Sequence, residues 1–176
     1  MTKDQKIDFE AHGYLTLENV LSAEELEDLR NAFDTAADGG FLDEIQNYHP
    51  QFIQLAEHST IFPVVHGIIG DVIQLHSILG RRIEPGAHGR GWQREMEGML
   101  GVHHPLSTVG VDAVIHLNDT AAGASLSVVP GSHRFKSEMP LPKLTHIDDM
   151  PHQVPLDTRA GTVVVHHANV WKAWTT

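Results

Sequence analysis

The stretch ASLSVVPGSH, Ala124–His133, decides how the chain is read. ASLSVV is short, rich in residues that favour a pleated surface, and stopped by PGSH, whose Pro and Gly mark a turn rather than a continued strand. The same grammar recurs on both sides. VIQLHSILGRRI (Val72–Ile83), VDAVIHLND (Val111–Asp119) and GTVVVHH (Gly161–His167) are β-branched-rich segments punctuated by EPGAHGRG, NDTAAG and RAG. Several short strands with turn signals between them predict an all-β sandwich or jelly roll.

Helices are expected on the amino-terminal side. Ser22 followed by Glu25 forms a capping box, Leu21 and Leu26 hold the positions of a hydrophobic staple, and Leu26, Leu29, Phe33 and Ala36 then make one apolar stripe. The spacing predicts a helix over Leu21–Ala37, ended by Gly39 and Gly40. Ahead of it, GYLTLENV (Gly13–Val20) alternates as a half-buried strand does. A second helical region is expected from Gln51 to Ile69, with Pro63 in the first turn of a new helix. The run Lys136–Pro155, rich in Pro, Asp, His and Met, reads as a long loop of the kind that serves as a lid or rim.

Composition narrows the function classes. The 176 residues make one domain with room for a real core, and 23 acidic against 12 basic residues give a formal charge of −11. Such a field repels phosphate backbones and anionic lipid surfaces, so no nucleic-acid or membrane partner is expected. MTKDQKIDFE is too charged for a secretory signal and no apolar run is long enough for a span, which predicts a soluble cytoplasmic protein. With no cysteine, disulfides, thiolate metal sites and a cysteine nucleophile are excluded. Histidine is abundant, with 14 residues.

FEAHGYLTLENVLSAEELEDLR, GWQRE, HLNDTAAGASLSVVPGSHRF and AGTVVVHHANVWKAW, in this order and at these distances, resemble the phytanoyl-CoA dioxygenase family of non-haem iron oxygenases from about Phe9 to Trp174. The resemblance implies a mainly β domain over 1–176 with N-terminal helices, built as a double-stranded β-helix (a cupin-like jelly roll). It also implies Fe(II) and 2-oxoglutarate as cofactors and hydroxylation of a small organic substrate, with iron held by a two-His, one-carboxylate facial triad.

Matched by motif, the three metal positions fall on Gln93, Glu95 and Lys172, and all three depart from the family's His, Asp and His. Residues two apart on a strand share a face, so the geometry at 93 and 95 still suits a site. The chemistry is altered. Glu95 keeps a carboxylate on a longer stem, Gln93 offers a neutral amide oxygen, and Lys172 carries an ammonium that cannot ligate a metal while protonated. A replacement arrangement is expected in which Glu95 pairs with Lys172 and Gln93 bonds the remaining carboxylate oxygen. The basic residue that binds the distal carboxylate of 2-oxoglutarate in the family would lie beyond Thr176. The expectation is therefore a fragment, or a member lacking its last strand, with an open barrel edge through which copies could self-associate.

Other histidines offer a second set. His103–His104 and His166–His167 are adjacent pairs, of which only one member can face a cavity on a strand. His116 shares its face with Asp112, Val114 and Asn118. A pocket lined by His104, His116 and His167 is one alternative, while His133 and His12 read as structural. Three functions follow: an oxygenase impaired by its ligand substitutions, a non-catalytic relative binding a small ligand or a partner protein, and a metal-independent enzyme using Glu95 or Lys172 as acid or base.

Overall fold

The structure, a computed structural model, describes residues 1–37, 40–83, 91–94, 108, 110–120, 125–135 and 150–174. Helix α1, Lys3–His12, starts at a capping box of Thr2 and Gln5 and ends at Gly13, whose φ of 82° is left-handed. A Cβ at Gly13 would collide with the His133 ring, so glycine serves both the backbone and the close approach. Helix α2, Ala23–Ala36, forms as its spacing predicts, with both halves of the Ser22–Glu25 capping box made. It buries Leu26, Leu29, Ala32 and Phe33. The second helical region is broken into α3, Pro50–Gln54, and α4, Ile61–Ile69, and Pro63 sits in the first turn of the latter.

Two antiparallel three-stranded sheets make the body. The first has the order β1 (Tyr14–Leu17), β7 (Val163–His167), β4 (Val111–Ile115), and the second β6 (Val154–Leu156), β5 (Leu126–Val128), β8 (Lys172–Trp174). A two-residue ribbon pairs β2, Phe41–Leu42, with β3, Gly80–Arg81. Strand β7 is buried on both faces, as a central strand covered from either side must be. Val163 and Val165 pack outward with Leu15 and Leu17 against Phe9 of α1 and Ile61 and Val64 of α4. Val164 packs inward on Leu126 and Val128 of the second sheet, with Val114, Leu156 and Trp174 around them. The chain is thus a β-rich sandwich of antiparallel sheets with its helices against the outer face of one. No helix among the described residues is long and apolar enough to cross a membrane.

The PGSH turn ties the layers together. Gly131 donates to the His12 carbonyl at 2.7 Å, and Arg134 donates to the Glu10 carbonyl, so the turn caps the last turn of α1. Ser132, fully buried, accepts from the Trp171 N–H at 2.8 Å and fixes the entry to β8.

The expected strand Val72–Ile83 is corrected. Only Gly80–Arg81 forms a strand, and Val72–Leu79 runs without a described ladder partner, with Val72 92 % exposed. Composition favours a strand only where a neighbour accepts its hydrogen bonds and its side chains. Strand β4 stops at Ile115 rather than Asp119, because regular pairing ends at His116, which donates to Thr162 and accepts from Gly161 so that one residue faces two. Of the expected loop Lys136–Pro155, residues 136–149 lie outside the described ones, and Val154 and Pro155 belong to β6.

Candidate functional site

Lys172 opens β8 between two neighbours. On one side it pairs with Val128 of β5, and on the other it forms an antiparallel bridge with Gln93. The Gln93 and Lys172 backbones exchange both hydrogen bonds, at 2.9 and 3.1 Å, so their side chains leave the same face. The two outer metal positions of the resemblance are therefore brought together. Glu95 lies outside the described residues.

The Lys172 side chain points between the sheets. The residue is 6 % exposed, and its Nζ donates to Asp112 Oδ2 at 3.0 Å and to His166 Nε2 at 3.2 Å. Asp112 and His166 are register partners on β4 and β7, which sets them side by side on the inner face. His166 is completely buried. An ammonium only donates, so Nε2 presents its lone pair and the proton sits on Nδ1, which faces the His167 carbonyl at 3.3 Å. Among the described residues, the carboxylate at Lys172 is that of Asp112, 60 residues away in sequence.

The other histidines fall elsewhere. His167 lies on the opposite face of β7 from His166, against Phe9 at 6.4 Å and His133 at 5.2 Å between ring centroids. Its Nδ1 accepts from the Asn169 N–H at 2.9 Å, and burial, reinforced by the His133 and His166 rings, pushes it down to about 4. His116 is buried against Trp174 at 6.1 Å, and its Nε2 has no hydrogen-bond partner among the described residues. Burial holds it too at about 4. Burial also lowers His133, whose ring occupies the turn under α1. His104 lies outside the described residues. The structure thus brings together Gln93 and Lys172, separates His116 from His167, and adds Asp112 and His166, which the sequence reading left without a role at Lys172.

These residues do not fit an iron facial triad. Position 172 presents a cation engaged with a carboxylate, and a metal ion there would be repelled by the ammonium and would compete with it for Asp112. Among the described residues no three His, Asp or Glu side chains converge as a metal would require. The cluster predicts an asymmetry in stability. Asp112→Ala removes a carboxylate from a buried ammonium and is expected to cost about 2 kcal/mol, below the usual range for breaking a buried pair because the Asp112 side chain is 40 % exposed. Lys172→Met leaves a carboxylate that water can reach and keeps the stem packed, while taking one donor from His166 Nε2, so it is expected to cost about 1 kcal/mol. Urea midpoints for the two variants measure the difference, and equal losses would refute this account of the pair.

No protein-family model and no curated protein sequence matches the chain. Solved structures do. EctD from S. alaskensis, solved with 2-oxoglutarate and 5-hydroxyectoine, is 19 % identical with a TM-score of 0.80, over 99 % of this chain and 70 % of that one. HygX from Streptomyces hygroscopicus is 20 % identical with a TM-score of 0.79, over 98 % and 80 %. The non-haem α-ketoglutarate-dependent epimerase SnoN of nogalamycin biosynthesis is 20 % identical with a TM-score of 0.72, over 99 % and 76 %. At these identities the likeness is one of architecture: the chain has the β-rich fold of non-haem, 2-oxoglutarate-dependent enzymes.

Proposed function

We propose that this chain is a phytanoyl-CoA dioxygenase-like double-stranded β-helix that has exchanged its iron site for a protein ion cluster and serves as a binding module for a small organic molecule. The observation that carries the reading is the buried Lys172 ammonium, bonded to Asp112 and His166 at a position where the family places an iron-binding imidazole. The fold's usual redox chemistry needs an open metal with three protein ligands, and here the position carries a cation already bonded to Asp112 and His166. Support for a small organic ligand comes from the structural relatives. EctD is solved with 5-hydroxyectoine, and HygX with hygromycin B alongside nickel and 2-oxoglutarate.

The test is direct. Purified protein titrated anaerobically with Fe(II) is expected to bind less than stoichiometric metal, and incubation with 2-oxoglutarate and O2 is expected to release no succinate. One equivalent of iron together with succinate formation would return the chain to the oxygenases.

A further inference from the structure

The geometry points to a second donor set, formed by Asp112 and His166, at which the Lys172 ammonium acts as a tethered cation in the place of a divalent metal ion. An ordinary ion pair needs only opposite charges. Here a carboxylate oxygen and the lone pair of a neutral imidazole converge on one atom, at 3.0 and 3.2 Å from Nζ. Carboxylate and imidazole are donor types that a borderline cation such as Zn2+ or Co2+ takes, and with two protein donors the remaining positions would be filled by water. The donors come from adjacent, register-paired positions of β4 and β7, so the sheet holds them in place whether or not the cation is present. Gln93, set opposite Lys172 by the bridge, leaves the backbone on the same face.

The inference deepens the metal-free reading and rests on it. Lys172 both departs from the ligand the family places at 172 and saturates two donors that lie outside the family's ligand positions. A metal would sit about 2.0–2.2 Å from each donor, closer than the ammonium does. Asp112, partly exposed, has the freedom to make that adjustment, while the fully buried His166 sets the centre.

The experiment vacates the cation without disturbing its stem. Methionine retains the lysine chain as far as the atom before Nζ, so Lys172→Met removes little more than the ammonium. The metal-stripped full chain, wild type and variant, is titrated with Co(II) and Zn(II), following Co(II) visible absorption and the thermal midpoint. The variant is expected to bind one equivalent at least about a hundredfold tighter than wild type. Adding Asp112→Asn should abolish that gain.

Two outcomes overturn the proposal: a folded Lys172→Met protein that binds no tighter than wild type, or a wild-type protein that already holds one equivalent lost on Asp112→Asn. Should the replacement compromise the fold, 15N NMR of the wild-type imidazoles reads the same contact. His166 is expected as the Nδ1–H tautomer with an accepting Nε2, and an Nε2–H tautomer would overturn the donor set. Failure here is distinguishable from failure of the function proposed above, which would show as iron binding and succinate release by the wild-type chain.

Discussion

Replacing Gln93→His, Glu95→Asp and Lys172→His together is expected to create Fe(II) affinity at least about a hundredfold above wild type, equivalent to about 2.7 kcal/mol. The backbone already supplies the convergence at two of the three positions, since Gln93 and Lys172 are directly paired. The single changes are expected to do little. Gln93→His still faces the ammonium of Lys172, and Lys172→His leaves an amide at 93, so the gains should be strongly non-additive, as for groups that act as one unit. Fe(II) titration of wild type, singles and triple measures this. Adding Asp112→Asn separates the two metal sites: it should leave the triple variant's affinity largely intact while abolishing that of Lys172→Met. A folded triple variant with no iron affinity would mean that the strands no longer place these residues as the family does.

Acid is expected to weaken the protein already at pH values above those at which ordinary carboxylates titrate. His116 and His167 are both held at about 4, chiefly by burial, against an ordinary value of 6.5. Between these values the unfolded chain binds protons that the folded chain refuses, so stability rises with pH through this window. It is fully present above about 6.5 and lost progressively as pH falls toward 4. At pH 5 each ring is expected to cost about 2 kcal/mol, and the limiting loss is about 3 kcal/mol each. His133, lowered by the same cause, adds in the same direction. Against a total stability of about 5–15 kcal/mol these losses are large. Urea denaturation at pH 7.5 and pH 5.0 measures the difference, and His116→Phe should recover about 2 kcal/mol at the lower pH alone. Stability that stays flat between the two pH values would show that both rings are protonated freely in the folded state.

What the sequence determined by itself was local or already encoded in chemical type. The α2 capping box needs only residues three apart, and both of its hydrogen bonds form. The β-branched runs ended by Gly and Pro yield short antiparallel strands because bulky branched side chains fit a pleated, buried surface. The ammonium at 172 was legible from residue identity.

Tertiary structure decided the partners. Adjacent histidines at 166 and 167 must face opposite sides, but a strand reading VVVHH and buried on both faces carries no polar alternation to say which side is which. Packing against Phe9 sends His167 outward, and pairing with Asp112 on the inner face sends His166 to Lys172. Asp112 itself is separated from Lys172 by 60 residues, and only the β4–β7 register brings it there. Val72–Leu79 shows the converse, since its composition is strand-like and yet no described neighbour completes the ladder. A side chain's type can be read from one position, whereas its partner is set by which distant backbone lies alongside, and that is a property of the assembled sheets.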